Sequence, residues 1–169
     1  GNPMWIVLQT FECPPPSWRY PTAEELRCMT YLSLAAGVKG AFFFIHQYMP
    51  DYLHGLTDPL TGQAQPLYET VSQLAKELQT LAPLLLSAKP GAPQGHVMGT
   101  VRVGCLQTAD GKPLYILANK EPGQPTEATL TSVPGVRYRN ALTGEAVEVV
   151  EGKLTVKLGA GEGRILVGE

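Results

Sequence analysis

Two short apolar runs, separated by one helix-sized segment, constrain the fold of this chain more than any other feature. Residues 4–8 and 40–45 are continuous apolar runs, and such runs are typical of strands buried on both faces of a parallel sheet. Between them, Thr22 and Glu25 have the spacing of a capping box, and Gly37 is placed to end the helix. A strand, a helix and a strand in this order predict a right-handed crossover with parallel strands.

A second helix is predicted to begin near residue 67 and to reach about residue 85. Apolar residues recur there at steps of three and four, which gives an apolar stripe along one face. Pro66 suits the first turn, where a missing amide costs nothing. Pro83 is expected to end or kink the helix around Leu81, because proline lacks the amide that continues the hydrogen-bond ladder.

The chain changes character near residue 88. Residues 1–88 hold 11 of the 13 aromatic residues, and residues 89–95 are rich in proline and glycine. We therefore expect a first domain over residues 1–88, a linker over 89–95, and a small antiparallel β-sandwich over 96–169. Turn signals such as Asp110-Gly111 and Glu151-Gly152 separate the strands that we predict for the sandwich. These strands cover residues 100–106, 114–119, 128–130, 136–138, 146–150, 154–158 and 164–167.

Composition argues against several classes of protein. A formal net charge of −2 over 169 residues leaves no basic excess for nucleic acid or for a membrane surface. The three cysteines form no C-x-x-C pair, so we expect no disulfide framework. The three histidines lack metal-ligand spacing, so we expect no metal site and no cofactor. No apolar run reaches the roughly 18 residues of a membrane span and no signal peptide is visible. The expectation is a soluble protein whose compartment is unknown.

Three segments carry a resemblance to a known family. Residues 3–11, 19–27 and 36–44 resemble strand seven, helix seven and strand eight of clan-A-type (β/α)8 glycoside hydrolases. Residues 114–119 and 142–145 resemble the accessory β domain of those enzymes. The resemblance covers nearly the whole chain. It implies an α/β plus all-β architecture, in which a truncated (β/α) barrel segment is followed by a small antiparallel β-sandwich.

Length limits how much of such a barrel the chain holds. A full barrel needs on the order of 250 residues, so residues 1–88 supply only two of eight units. Two parallel strands alone would leave the backbone groups at their edges unpaired. We therefore expect the sheet to be completed by another copy of the chain, as a homo-oligomer, or by a missing N-terminal barrel segment.

Polar and aromatic residues gather where the two predicted strands end. In barrel enzymes the active site lies at the C-terminal ends of the strands, which here are residues 9–12 and 45–51. Polar groups bind sugar hydroxyls, and aromatic faces stack on pyranose rings. The predicted catalytic residues are Glu12 and Asp51, and the predicted substrate-binding residues are Gln9, Trp18, His46, Tyr48 and Tyr52.

Several of these residues also have a purely structural interpretation. Glu12 is otherwise a solvated loop acid, Asp51 caps a turn, and His46 is hydrogen-bonded at a strand end. The resemblance implies a nucleophilic glutamate at the end of strand seven, where this chain has Gln9. It also implies an acid/base glutamate at the end of strand four, a unit that is absent here.

Two functions of different class follow. The first is hydrolysis or binding of β-linked oligo- or polysaccharides by a glycoside hydrolase that uses the strand-end carboxylates. The alternative is a non-catalytic sugar-binding or structural remnant that oligomerises through its open sheet. A weaker third option is a hydrolase of another class that re-uses the truncated cleft.

Overall fold

A computed structural model describes residues 3–14, 17–47, 51–92 and 95–169. These residues form a two-stranded parallel sheet, two helices and a nine-stranded antiparallel sheet. The first half contains β1 (Trp5–Gln9), α1 (Ala23–Ala35), β2 (Gly40–Phe44) and α2 (Tyr68–Ser87). The second contains β3 (Lys89–Pro90), β4 (Val97–Met98), β5 (Val101–Gln107), β6 (Pro113–Asn119), β7 (Thr126–Thr131), β8 (Arg137–Asn140), β9 (Ala146–Val150), β10 (Lys153–Leu158) and β11 (Gly163–Gly168).

The first two strands are parallel, as the strand–helix–strand order predicts. Their register runs from Trp5 opposite Gly40 to Gln9 opposite Phe44. The hydrogen bond from Thr10 N to Phe44 O, at 2.6 Å, continues the pairing one residue beyond β1. Both strands therefore end at the same edge of the sheet, where the loops that follow them meet.

The expectation that these strands are buried on both faces is wrong. Ile6, Leu8, Ala41 and Phe43 pack into the core beneath the helices. On the opposite face the exposed fractions are 58% for Trp5, 63% for Val7 and 56% for Phe42. The apolar composition of the runs predicted two buried faces, but only one face of this two-stranded sheet has helices to cover it.

The start of α1 agrees with the sequence prediction in detail. The Glu25 amide donates to Thr22 Oγ1 at 3.2 Å, and the Thr22 amide donates to Glu25 Oε2 at 2.9 Å. This is a complete capping box, which satisfies amides that the first helical turn leaves without partners. After the helix, Gly37 has a φ of +93°, the left-handed conformation that its position predicts.

The sequence predicts that Pro83 ends or kinks α2 near Leu81. An end there is wrong, because the helix continues to Ser87, and a kink stays a prediction. Leu81 and Leu85 are both buried in the core. Burial on either side of the proline compensates for the one hydrogen bond that proline removes. A helix in water without this packing would be expected to end there.

Two core clusters hold the antiparallel sheet, and β6 lies between them. Its alternate residues Leu114, Ile116 and Ala118 face the first core, where they pack with the residues buried beneath α1 and α2. Tyr115 and Leu117 face the second core, which is enclosed by the remaining antiparallel strands. The helical and all-β halves therefore share the first core, and the second core belongs to the all-β half.

The antiparallel strands match the sequence prediction closely. All seven predicted runs are strands, with the order β3-β5-β6-β11-β8-β9-β10-β7-β4 across the sheet. Two further short strands, β3 and β4, were not predicted. In β3, Lys89 and Pro90 lie opposite Gln107 and Leu106 of β5. No helix in the described part of the chain is long and apolar enough to cross a membrane.

Candidate functional site

The loops after β1 and β2 are joined at the C-terminal edge of the parallel sheet. Glu12 and Leu53 exchange two backbone hydrogen bonds, from Glu12 N to Leu53 O at 2.8 Å and from Leu53 N to Glu12 O at 2.7 Å. Segments more than forty residues apart in sequence therefore form one surface. The position of this surface follows from the parallel pairing, which brings both strand ends to the same edge.

Glu12 faces a histidine across this junction. Its Oε2 lies 3.8 Å from Nε2 of His54, and both side chains are partly exposed. The His54 backbone has a φ of +61°, and its ring centroid lies 5.5 Å from that of Tyr20. Left-handed backbone at a residue other than glycine is uncommon and is enriched at functional sites.

Tyr20 anchors the histidine side of the junction. Its hydroxyl donates to Gly55 O at 3.4 Å and accepts from the Leu67 amide at 3.3 Å. Burial raises the pKa of the Tyr20 phenol above its usual value. Tyr20 thereby connects the loop before α1 to the loop that carries His54 and to the start of α2.

An aromatic cluster lies beneath the two loops. Phe11 packs edge-on against Tyr52, with ring centroids 4.9 Å apart, and against Phe44 at 5.6 Å. Tyr52 also packs edge-on against Phe44 at 5.7 Å. The sequence-predicted binding residue Tyr52 is thus half-buried and packed against two aromatic rings.

The side chain of Gln9 stabilises the loop that follows β1. Its Nε2 donates to Phe11 O at 2.9 Å and to Arg19 O at 2.8 Å. Both bonds use the amide nitrogen, so an acid at this position could not make them. The amide is therefore suited to holding the loop after β1 in place.

The remaining sequence-predicted residues lie nearer to solvent. His46 is exposed, with Nε2 at 3.4 Å from Thr57 Oγ1. Asp51 is exposed in the turn that precedes Leu53. Tyr48 lies outside the described residues. The structure thus brings Glu12 and the segment that begins at Asp51 together, and it leaves His46 at the end of the neighbouring strand.

A second feature, here called the flank cleft, lies beside the end of β1. It has a volume of about 390 Å³ and lies between the loop before α1, the first half of α1 and the turn after β6. Its lining residues are Gln9, Trp18, Arg19, Pro21, Glu25, Cys28, Met29, Lys120 and Pro122. The cleft thus receives residues from both halves of the chain.

An ion pair forms part of the flank cleft. Arg19 Nη1 donates to Glu25 Oε2 at 2.7 Å, and Nη2 forms a second bond to Oε1. These bonds, with the one from the Thr22 amide, lower the pKa of the Glu25 carboxyl to about 2. The carboxylate is therefore ionised at neutral pH, and both charged groups are held in a fixed orientation.

Sequence reasoning missed His54, Tyr20 and Lys120 as site residues. His54 lies in a loop with no local motif, and its approach to Glu12 depends on the parallel register of β1 and β2. Lys120 follows a strand of the all-β half, in which no site was predicted. In the described ranges no three His, Cys, Asp or Glu side chains form a metal-binding group.

Comparison with known proteins identifies the fold and not the family. No protein-family model matches the chain, and no curated protein sequence matches it. Among solved structures, it is similar to the α-amylase of Geobacillus thermoleovorans in complex with acarbose, with a TM-score of 0.65 and 14% identity. That match covers 98% of this chain and 38% of the amylase.

Two further glycoside hydrolases show the same partial likeness. AmyP in complex with maltose matches with a TM-score of 0.58 and 15% identity, over 86% of this chain and 34% of AmyP. The GH27 β-L-arabinopyranosidase of Geobacillus stearothermophilus matches with a TM-score of 0.54 and 17% identity, over 90% of this chain and 32% of that enzyme. The chain thus has the fold of about one third of these enzymes.

Proposed function

We propose that this chain is part of a carbohydrate-active protein of glycoside hydrolase lineage. It binds or hydrolyses β-linked sugars at the C-terminal ends of β1 and β2. The observation that carries the proposal is the junction between Glu12 and residues 51–54 at the strand ends of the parallel sheet. The likeness to glycoside hydrolases of known structure supports it.

In the hydrolytic form of the proposal, Glu12 and Asp51 are the two carboxyl groups. Glycoside hydrolysis uses a pair about 5–5.5 Å apart for retention, or roughly 6.5–9.5 Å apart for inversion. Glu12 acts as the nucleophile or base, and Asp51 donates the proton to the leaving oxygen. The His54 imidazole, 3.8 Å from Glu12, orients the Glu12 carboxylate. A second protomer is the other possible source of the partner carboxylate.

The architecture that goes with this function is a truncated (β/α) barrel segment over residues 1–88, a linker over 89–95 and a β-sandwich over 96–169. The exposed apolar face of the parallel sheet supports a barrel segment that is completed by another copy or by further barrel strands. The two faces of β6, each packed on a separate core, support a sandwich in the second half.

The test is turnover of a panel of aryl glycosides that includes both anomers of glucose, galactose and arabinose. Glu12→Gln should abolish hydrolysis, because an amide can act neither as nucleophile nor as base. Glu148→Gln is the matched control, since Glu148 lies on β9 in the all-β half. Equal activity of Glu12→Gln and the control would remove the catalytic assignment.

One observation favours the alternative, a sugar-binding or structural remnant without catalysis. Gln9 occupies the strand end where the resemblance implies a nucleophile, and its amide braces backbone carbonyls instead. Calorimetric titration with maltotriose and with β-linked oligosaccharides separates the two functions. Saturable binding without turnover supports the remnant, and turnover lost in Glu12→Gln supports the enzyme.

A further inference from the structure

We propose that the flank cleft is a saccharide-binding subsite in which Trp18 stacks on a pyranose ring and Lys120, from the all-β half, binds its hydroxyls. This inference rests on the proposed carbohydrate function and adds a second location to it. It also gives the all-β half a part in ligand binding. The volume of about 390 Å³ lies within the range of about 300–1,000 Å³ of small-molecule sites.

Trp18 is a fixed aromatic surface at the mouth of the cleft. Backbone bonds between Cys13 and Trp18, including Trp18 N to Cys13 O at 2.8 Å, hold its position in the loop. Its ring leans on Phe11, with centroids 6.1 Å apart, and 54% of the residue is still exposed. A supported indole with a free face is what stacking on the apolar face of a sugar requires.

The side chains of Gln9, Arg19 and Glu25 are already oriented in the cleft. Arg19 and Glu25 hold one another through two hydrogen bonds, and Thr22 N fixes one carboxylate oxygen further. No residue in the described part of the chain donates to the side-chain oxygen of Gln9, since both bonds of its amide group use Nε2. Lys120 is exposed, and its backbone is tied by Lys120 N to Thr100 O at 2.9 Å. Donors and acceptors that do not need to be reordered favour binding.

The balance of charge distinguishes a sugar from other small ligands. Arg19 is neutralised by Glu25, so among the lining residues that the structure describes Lys120 is the one cation without an ion-pair partner. A phosphate or nucleotide site would normally present several unpaired cations or a nest of backbone amides. A purely apolar ligand would make no use of the Lys120 ammonium or of the side-chain oxygen of Gln9. A neutral, hydroxyl-rich ring with one apolar face matches both the indole and the polar groups.

The chain has two tryptophans, Trp5 and Trp18, which permits a direct test. In Trp5→Phe, the emission of Trp18 is followed during titration with maltotriose, and separately with galactose and arabinose, with glycerol as a control solute. We expect a saturable change in emission with at least one sugar and none with glycerol. Lys120→Met should weaken that binding at least fivefold, whereas Lys112→Met, in the exposed turn before β6, should leave it unchanged.

Calorimetry on the unaltered chain separates failure of the subsite from failure of the proposed function. The subsite is overturned if calorimetry shows saturable binding while Trp18 emission does not change and the two lysine variants bind with equal affinity. In that case carbohydrate binding by the chain still stands. No binding of these three sugars or of the β-linked oligosaccharides in either measurement counts against both. Circular dichroism of each variant checks folding, and Trp18→Phe, in which Trp5 is the remaining fluorophore, should lose the sugar-dependent signal.

Discussion

Gly163 of β11 lies flat against the ring of Tyr31 of α1, so that a Cβ at residue 163 would overlap Cγ and Cδ1 of that ring. Gly104 of β5 is also close to the backbone of Ala35, with a Cβ at 2.7 Å from the Ala35 oxygen. These two glycines let α1 approach the antiparallel sheet closely. The close packing of α1 on the antiparallel sheet places the end of β1 and the turn that carries Lys120 on the same flank cleft.

Gly163→Ala should destabilise the chain by about 1–3 kcal/mol, because the added methyl overpacks a buried ring that has no free side to move toward. Urea unfolding at neutral pH measures the change. Gly123→Ala is the matched control, since a Cβ there meets nothing within 4 Å and its stability should stay within about 0.5 kcal/mol. Equal midpoints for the two variants would contradict close packing of α1 on β11.

A second prediction concerns Tyr31, whose hydroxyl donates to Glu77 Oε2 at 2.8 Å and so joins α1 to α2. Burial, and then the Glu77 charge, raise the pKa of the Tyr31 phenol well above 10. The native state therefore keeps a proton that the unfolded chain loses near pH 10, and stability should fall as the pH rises above that value.

Tyr31→Phe should cost about 1–2 kcal/mol at pH 7, because Glu77 keeps its bond to Arg27 at 3.0 Å but loses the phenol. The same variant should flatten the loss of stability between pH 9 and pH 11. Urea unfolding across that range is the measurement. Tyr68→Phe, at the exposed start of α2, serves as the control and should keep the alkaline slope. An unchanged slope in Tyr31→Phe would contradict the assignment.

Local patterns were sufficient to predict most of the fold. Short stretches of sequence predict the capping box, the left-handed conformation of Gly37 and the alternating burial along β10. The structure contains all three features. The errors concern what lies next to a segment in space. Apolar composition does not indicate whether both faces of a strand are covered, and one face of β1 is exposed. The presence of Pro83 likewise does not indicate whether Leu81 and Leu85, on either side of it, are buried.

The site was less accessible to sequence reasoning than the fold. Parallel strands implied that the loops holding Glu12 and Asp51 would meet, and the hydrogen bonds between Glu12 and Leu53 join those loops. His54 could not be placed beside Glu12, because no periodicity or motif sets the conformation of that loop. Lys120 reaches the flank cleft only through the packing of α1 on the antiparallel sheet.

A third prediction concerns acid stability. The bonds from Arg19 and Thr22 lower the pKa of the Glu25 carboxyl from 4.5 to about 2. A lowered pKa contributes stability that is fully present above about pH 4.5 and is lost as the pH falls toward 2. Glu25→Gln should therefore flatten the acid limb of the stability profile between pH 5 and pH 2. Glu24→Gln, the exposed neighbour in the same helical turn, should retain that limb.

Thr22→Ala tests the other half of the same cap. It removes the acceptor for the Glu25 amide and should cost about 1 kcal/mol in urea unfolding at pH 7. The Arg19–Glu25 pair does not depend on the Thr22 hydroxyl, so the acid limb should change little in this variant. If Thr22→Ala and Glu25→Gln altered the acid limb equally, the pair with Arg19 would not be its cause.

The last prediction concerns the open face of the parallel sheet, on which Trp5, Val7 and Phe42 are all more than half exposed. Trp5 and Phe42 pack together there with ring centroids 5.3 Å apart. A contiguous apolar surface of this kind favours association. In the described part of the chain β1 and β2 pair only with each other, so their outer edges offer backbone groups to an added strand. The isolated chain should therefore self-associate with rising concentration, as measured by light scattering.

Phe42→Lys should shift this association to at least tenfold higher concentration, because a buried lysine in the interface would have to lose its hydration. Val136→Lys is the matched control, since Val136 is an exposed apolar residue in the all-β half and lies far along the chain from β1. Equal association of the two variants would place the contact elsewhere on the surface. A monomer at millimolar concentration would show that the open face does not bind a second copy, because an apolar surface that drives association would act at that concentration.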